Sequence, residues 1–432
     1  MHLNIYLKII YIKVMESKKL SDELLWRGFV NQTTLQDIKK LDSSKFTFYW
    51  GVDPSSDSMT VGNLATAMMV KHFIMHGHKA VLLIGGATGL IGDPDGKSVE
   101  RELTDRSVIN KYKQGILSQY KRLFGDADIT IVDNYDWFKD INYLDFLRDI
   151  GKHIPMRQML NREFVQARLQ ESGSGISYAE FSYVLIQAYD FLHLHVNHGV
   201  NLQVCGSDQW GNSIAGVDLI RRKTGNIVDV WSAPLIVNPS TGVKFGKSEN
   251  GAVWLDESKT SPTSFYQFWV NAEDNVVEHY LKIYTTLDKT EIEEIVQQQS
   301  QNPKQRIAQL KLADTVTELV HGTALMQQAR TVTKYLNGNL KLGEATAIDI
   351  KFLKKEIPTV KSASSESITK ALSASGLASS NNNAKQLLNN GAVYINNVKA
   401  DRDNFRAEDF INGYLLLRKG KAYKDSALVE LA

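Results

Sequence analysis

Lys244 and Lys247 stand three residues apart in Thr241-Gly-Val-Lys-Phe-Gly-Lys-Ser248. Two flexible ammonium groups at that spacing suit a polyphosphate whose charge shifts as a bond breaks. Gly242, Gly246 and the Glu249-Asn-Gly251 that follows argue for a loop. An isolated pair of this kind is equally a solvated turn, so the rest of the chain decides.

Four further segments carry chemistry. Tyr49 to Leu64 leaves a strand, turns at Gly51 and Asp53-Pro54, and opens a helix at Thr60-Val61. A helix N-terminus offers unpaired N–H groups and a positive dipole end to phosphate. Thr60 adds a hydroxyl and Gly62 lets a ligand reach the backbone; the same residues would serve an ordinary cap. Gly85 to Lys97 holds five glycines in its first twelve residues, where backbone can pack on a flat ligand, and Asp93 there can take an ammonium group. It is not a dinucleotide fingerprint. Gly96-Lys97-Ser98 imitates the end of a P-loop, but Ile91 stands where that motif needs glycine. Tyr183, Gln187 and Asp190 fall at i, i+4 and i+7, a polar stripe on an otherwise apolar helix. Such a stripe is costly without a ligand or internal partners. In Gln203 to Asn212 a strand ends at Gly206, and Asp208 at its carboxyl end is placed to hold a ribose or to cap the next helix.

Short apolar runs position these segments. Phe46–Trp50, Ala80–Ile84, Ile129–Val132 and Leu202–Cys205 read as strands, and roughly 61–76, 105–124, 140–150, 177–195 and 210–223 as helices. The alternation means a parallel sheet covered by helices, with ligands at the carboxyl ends of the strands. From about 256 to 345 the pattern is helical. Lys361-Ser-Ala-Ser-Ser-Glu-Ser367 reads as part of a linker over 346–365, and 366–432 as a small α+β module with helices at Ile368–Ala374 and Asn383–Asn389 and strands at Ala392–Ile395, Asn397–Lys399 and Tyr414–Lys419. The 432 residues are 43% hydrophobic and 23% charged, with net charge +2, so nucleic acid must be met by local patches rather than a bulk field. One cysteine, Cys205, excludes an internal disulfide and a multi-cysteine zinc site. Residues 1–15 read as an extra leader, with Met15 as an alternative start. That run is too short to cross a membrane.

Together the order and spacing of these segments resemble bacterial-type tyrosyl-tRNA synthetase, a class I aminoacyl-tRNA synthetase, from Trp26-Arg-Gly-Phe-Val-Asn-Gln-Thr-Thr34 to the carboxyl terminus. Lys244-Phe-Gly-Lys-Ser248 is similar to that family's KMSKS signature. Gly206-Ser-Asp-Gln-Trp-Gly-Asn212 and Gln187-Ala-Tyr-Asp-Phe-Leu192 are similar to its tyrosine site, and the last module to a ribosomal-protein RNA-binding domain. The resemblance implies a Rossmann-like catalytic domain at 16–240, a mobile KMSKS-type loop at 241–255, a helical anticodon-binding domain at 256–345 and an RNA-binding domain at 366–432. It implies that Tyr49 and Asp190 hold the phenol of tyrosine, and Asp93, Tyr183 and Gln187 its ammonium. Gln209 would border the amino acid; Gly51, Asp53, Gly62, Gly206, Asp208 and Lys247 would meet ATP or the adenylate. Thr60, Asn63, Lys97, Arg101, Lys244 and Lys247 would stabilise the reacting phosphates. It further implies L-tyrosine, tRNA(Tyr) and ATP with Mg²⁺ as reactants, no protein-ligated metal, a homodimer, and a cytoplasmic enzyme of translation.

Two positions depart from the family. Its HIGH signature is Thr60-Val-Gly-Asn63 in this chain, which shortens the first side chain. Trp50 replaces a small residue, which would crowd the ribose side. A tryptophan-specific enzyme is the nearest alternative, but an indole would leave Tyr49 and Asp190 without a hydroxyl to bind. An RNA-binding paralogue of weak activity is a second alternative, prompted by Thr60.

Overall fold

An apolar strand can be central in a parallel sheet only if helices cover both its faces. The computed structural model describes residues 19–94, 104–125, 127–170, 173–237, 247–248, 251–420 and 425–432, without the side chains of 158, 163, 164, 247 and 248. The leader at 1–15, Lys97, Arg101, Lys244 and the Lys247 side chain lie outside the described residues.

The first sheet contains β1 (Gln32–Thr33), β2 (Thr47–Val52), β3 (Lys79–Ile84), β4 (Ile129–Asp133), β5 (Leu202–Gly206) and β6 (Asp229–Ala233) in the order β1-β6-β5-β2-β3-β4. Only β1 is antiparallel to its neighbour. The chain runs outward from β2 through β3 to β4, then returns to the other side of β2 for β5 and β6. The order thus reverses between β2 and β5, and a crevice opens at their carboxyl ends, where such sheets bind ligands.

Helices of seven residues or more follow in chain order: α1 (Leu20–Arg27), α2 (Val61–Met75), α3 (Arg106–Phe124), α4 (Tyr143–Asp149), α5 (Glu163–Leu169), α6 (Tyr178–His198) and α7 (Trp210–Thr224). Side chains alternate along β2. Phe48 meets Phe73 of α2 and Trp50 meets Tyr120 of α3, at ring-centroid distances of 5.2 and 5.4 Å, while Tyr49 meets Phe191 of α6 at 5.2 Å. Helices α6 and α7 approach closely at Gly216, where a methyl group would lie 2.9 Å from the Phe191 ring.

Beyond this sheet the chain forms α8 (Pro262–Val270), α9 (Val277–Tyr284), α10 (Lys289–Gln301), α11 (Ile307–His321), α12 (Thr323–Leu336), α13 (Ala347–Glu356), α14 (Ile368–Ala374) and α15 (Asn381–Asn389). Its further strands are β7 (Lys247–Ser248), β8 (Gly251–Ala252), β9 (Thr359–Ser362), β10 (Val393–Ile395), β11 (Val398–Lys399), β12 (Tyr414–Lys419) and β13 (Ser426–Leu431). Two units result. The first is residues 1–255 with 274–297; the second is 256–273 with 298–432. The return of 274–297 to the first unit is fixed by Arg27. This fully buried guanidinium donates to the carbonyls of Lys282 at 2.6 Å, Thr285 at 2.9 Å and Leu287 at 2.5 Å, and pairs with Glu23 at 2.6 Å. It satisfies carbonyls that a helix C-terminus leaves open.

The structure corrects the expected boundaries. The helical run at 256–345 is divided, because 274–297 packs with the first unit. The expected linker at 346–365 is α13 and β9. Thr346 and Asp349 cap the helix reciprocally, Leu353 is buried, and β9 pairs in parallel with β13 about seventy residues on. The closing sheet, ordered β11-β10-β12-β13-β9, buries Leu415 and Leu417 against α14 and α15, and Leu416 and Leu428 against Leu336 and Leu353 of α12 and α13. The last module is therefore continuous with the helices before it within the second unit.

His78, buried between α2 and β3, accepts the Phe46 N–H at 3.1 Å. Burial and the Lys45 charge push its pKa down to about 4, against about 6.5 in an unfolded chain. Between those values the unfolded chain binds a proton that the folded chain refuses. Stability is therefore complete above the upper value and is lost as pH falls toward the lower, at up to about 1.4 kcal/mol per pH unit. Urea midpoints of the parent should drop across that window, and His78→Gln, which can accept the same N–H, should show a shallower drop.

Candidate active site

Helix α6 begins where Ser177 accepts the Glu180 N–H at 3.2 Å and ends at Gly199 with φ of 67°. Glu180 is itself held by both guanidinium nitrogens of buried Arg168, at 2.9 and 2.8 Å. The helix so fixed carries Tyr183, Gln187 and Asp190 on one stripe under the sheet.

Asp190 is 2% exposed. Burial raises its pKa well above the usual carboxylate range, the charges of Asp53 and Asp133 add to that, and hydrogen bonds from Asn134 and Trp137 oppose it. Asn134 Nδ2 and Trp137 Nε1 each donate to it at 3.0 Å. The Asn134 amide cannot face the other way. Its Oδ1 accepts the Ala87 backbone N–H at 2.6 Å, and a backbone N–H can only donate. Tyr49, on β2, is buried beside it. Its hydroxyl has no hydrogen-bond partner among the described residues, and burial with the Asp190 charge keeps it protonated far above neutrality. Gln203, paired in register with Tyr49 across β2 and β5, also holds a buried Oε1 without a partner among the described residues.

Nearer the strand ends, Asp53 accepts from Thr88 Oγ1 at 2.6 Å and from the Tyr183 hydroxyl at 2.8 Å. Gly85 makes room for it; a methyl there would lie 2.1 Å from Asp53 Oδ1. Since the Tyr183 proton is committed to Asp53, its oxygen faces other groups as an acceptor. Gln187 Oε1 is a buried acceptor without a partner among the described residues. Asp93 accepts from Gln209 Nε2 at 2.6 Å, Gln209 Oε1 from Asn212 Nδ2 at 3.2 Å, and Asn212 Oδ1 from Arg162 Nη1 at 2.5 Å. Arginine only donates, so it sets the direction of both amides and turns the Gln209 N–H toward Asp93.

Thr60 is the N-cap of α2, and Asn63 Oδ1 accepts from both its backbone N–H and its hydroxyl, each at 3.0 Å. Gly62 lies between them in the first turn. The segment is also paired across from the chain that leaves the lysine loop: Val61 N donates to Val253 O at 3.0 Å and Leu255 N to Met59 O at 2.9 Å. Lys247 opens a hairpin, pairing with Ala252. Gly51 lies exposed near the end of β2, and at the end of β5 a methyl on Gly206 would come within 2.7 Å of Asp208 Oδ1. Trp50 differs from expectation. It is buried against Tyr120 and Phe124 of α3, on the sheet face opposite Tyr49, because alternation along β2 turns it into the core.

Asn134, Trp137, Thr88, Gln203, Asn212 and Arg162 are additions that the sequence did not single out. Asn134 and Trp137 directly follow β4. The rule that drew attention to Asp208, a residue just past a strand, points to them equally.

A family model described as tRNA synthetases class I (W and Y) matches residues 41–336, and one described as the tyrosine–tRNA ligase SYY-like C-terminal domain matches 349–424. The chain is 42% identical over 422 residues to tyrosine–tRNA ligase 2 of Bacillus thuringiensis subsp. konkukian, covering 95% of this chain and 99% of the relative. It is 40% identical over 409 residues to tyrosine–tRNA ligase of Geobacillus stearothermophilus, covering 92% and 97%. A C-terminally truncated mitochondrial tyrosyl-tRNA synthetase of Aspergillus nidulans superposes with a TM-score of 0.67 at 30% identity, covering 76% of this chain and 99% of that one.

Trp137→Phe keeps a ring stacked on His193, as in the parent at 4.3 Å, but removes one donor to Asp190. The dissociation constant for tyrosine, measured without ATP, should rise about tenfold, the scale of one hydrogen bond to a charged group. An unchanged constant would show that the indole N–H does not shape the carboxylate.

Proposed function

We propose that this chain, which belongs to the class I tRNA synthetases and within them to the tyrosine–tRNA ligases, reads the phenol of tyrosine with Tyr49 and Asp190 and its ammonium with Asp93, Tyr183 and Gln187. The reaction has two steps. Tyrosine's carboxylate oxygen bonds to the α-phosphorus of ATP as the bond to pyrophosphate breaks. A terminal ribose hydroxyl of tRNA then attacks the tyrosyl carbonyl, and AMP leaves.

The observation that carries the recognition scheme is the buried Tyr49 hydroxyl without a partner, close enough to Asp190 to feel its charge. A phenol can donate to the Asp190 carboxylate and accept from Tyr49, satisfying both. Phenylalanine would leave the buried Tyr49 hydroxyl unpaired and the Asp190 carboxylate one donor short of the set tyrosine completes, at a cost of roughly 1–3 kcal/mol for the unpaired group. The ammonium group has three donors and no acceptor. It meets three acceptors: the Asp93 carboxylate, the Tyr183 oxygen and Gln187 Oε1. Gln209 borders the amino acid and holds Asp93 in place, and Asp53 fixes the Tyr183 hydroxyl.

On the nucleotide side, Gly206 and Asp208 take the ribose, Gly51 and Gly62 let the nucleotide approach the backbone, and Thr60 and Asn63 lie at the positive end of α2 where phosphates bind. Lys97, Arg101, Lys244 and Lys247 stabilise charge that builds on the departing pyrophosphate. Mg²⁺ enters on the phosphates of ATP. Catalysis is positioning and charge stabilisation, with no protein nucleophile. The helical part of the second unit and its closing sheet serve tRNA, and the enzyme works in the cytoplasm. No described helix is long and apolar enough to cross a membrane.

Pyrophosphate exchange into ATP tests this scheme. Tyrosine should support it, while phenylalanine and tryptophan fail. Asp190→Ala should abolish exchange with its circular dichroism intact, and Lys247→Ala should lower kcat by about a hundredfold with little change in tyrosine binding. Equal exchange with tyrosine and phenylalanine would overturn the phenol assignment.

A homodimer is the second part of the proposal. Tyr143, Leu144, Met156, Leu169 and Tyr178 are all more than half exposed, and the Tyr143 and Tyr178 hydroxyls lie 3.4 Å apart. The pair Tyr143 and Tyr178, with Leu144 next in the chain to Tyr143, marks an association surface. Leu144→Asp, at the most exposed of them, should sediment as a monomer where the parent sediments as a dimer. A monomeric parent would remove this surface from the assembly.

A further inference from the structure

The first residue of the Thr60-Val-Gly-Asn63 tetrad has its only hydroxyl proton turned inward. Thr60 Oγ1 lies 3.0 Å from Asn63 Oδ1, and so does the Thr60 backbone nitrogen. A backbone N–H is an obligate donor, so the Asn63 atom that faces it must be the carbonyl oxygen. An oxygen in that place offers the threonine hydroxyl an acceptor and nothing to accept from. The hydroxyl proton is therefore committed to Asn63. Both Asn63 amide N–H groups then point away from Thr60, and no described residue accepts from them. The site of this contact is itself held firmly. Thr60 is bridged to Trp254 in antiparallel register, between the hydrogen bonds Val61 N to Val253 O and Leu255 N to Met59 O.

We propose that Thr60 is a positioning residue acting through Asn63: its hydroxyl and backbone N–H together clamp the Asn63 carbonyl, so that the Asn63 amide presents two N–H donors to the phosphates of ATP. The inference rests on the reading that the start of α2 faces those phosphates, and it changes what Thr60 does there. A shortened side chain at the first position is then not a weakened phosphate contact. It exchanges one direct donor for a fixed orientation of the fourth residue. An amide free to turn would present its carbonyl oxygen to the phosphates for part of the time, and that oxygen repels them. Two donors on one oxygen remove that orientation. The clamp acts on the transition state more than on tyrosine binding, because charge on the phosphates grows as pyrophosphate leaves.

The test is a double-mutant cycle read by single-turnover formation of tyrosyl-adenylate, with tyrosine affinity and melting temperature measured in parallel. Thr60→Val, which keeps the shape and loses the hydroxyl, should lower the rate about tenfold and leave tyrosine affinity at the parent value. Thr60→Ser should recover most of that loss. Asn63→Ala should lower the rate further, and adding Thr60→Val to it should cost less than about twofold more, since the group through which Thr60 acts is gone. Asn63→Asp keeps an acceptor for both Thr60 donors and replaces the NH₂ by an anionic oxygen. It should retain the parent melting temperature and lose adenylate formation. Losses that multiply in the cycle, or a rate gain on Thr60→His, would return Thr60 to an independent phosphate contact and overturn the clamp. An Asn63→Ala or Asn63→Asp enzyme with the parent rate would instead remove the start of α2 from the phosphate site, the reading on which the inference rests.

Discussion

A carboxylate buried under an apolar helix is tolerated only when donors meet it, and most of this site is arranged around that need. Asp190 is met by Asn134 and Trp137 from the end of β4, and Asp53 by Thr88 and Tyr183. Asp133, next in line, is paired with Lys113 at 2.5 Å. Gly86 leaves the space for Asp133 that Gly85 leaves for Asp53, since a methyl at Gly86 would lie 2.1 Å from Asp133 Oδ1. The charges of Asp53 and Asp133 add to the cost of ionising Asp190, so a ligand that brings a cation and a hydroxyl completes a set of partners the protein supplies only in part.

Side-chain amides do much of the supplying. An amide has a donor end and an acceptor end, and its value depends on which end faces inward. In each case a group that can only donate decides the matter: the Ala87 N–H for Asn134, Arg162 for Asn212 and through it Gln209, the Thr60 N–H for Asn63. In the proposed scheme, recognition thus rests on residues one step removed from tyrosine. The same sheet could serve another amino acid with different residues in those places, since a fold positions a site without choosing its chemistry.

Much of this was legible in the residues. The stripe of Tyr183, Gln187 and Asp190 follows from helical spacing, and Asp53, Asp93 and Asp208 from their places after apolar strands. The helices at 61–75, 106–124 and 210–224 lie within two residues of their expected ends, because a cap at the start or a glycine just past the end marks each of them. Hydrogen-bonding direction was not legible. Nothing in the spacing of Asn134 and Asp190 says that they meet, since 56 residues separate them. The Trp50 side chain was misplaced because its neighbours were read without the alternation of the strand. The region after 345 was misread because Lys361-Ser-Ala-Ser-Ser-Glu-Ser367 has the composition of a linker, and its strand is specified by a partner at 428–431. A parallel pairing at that distance leaves no local trace.

Arg27 has a consequence for how the protein is made. Its guanidinium sits 255 to 260 residues from the carbonyls it binds. A chain emerging from a ribosome exposes the whole six-stranded sheet well before Leu287 appears. Until then the arginine lacks the carbonyls of Lys282, Thr285 and Leu287, and burying it would leave the donors that meet them unsatisfied. Closing the amino-terminal unit over α1 is therefore costly while its own sheet is being made, and that cost is relieved only after α8, which belongs to the other unit, has been made. The closing of the six-stranded unit is thereby favoured late in translation, and a shortened version that keeps these hydrogen bonds has to carry the chain past Leu287.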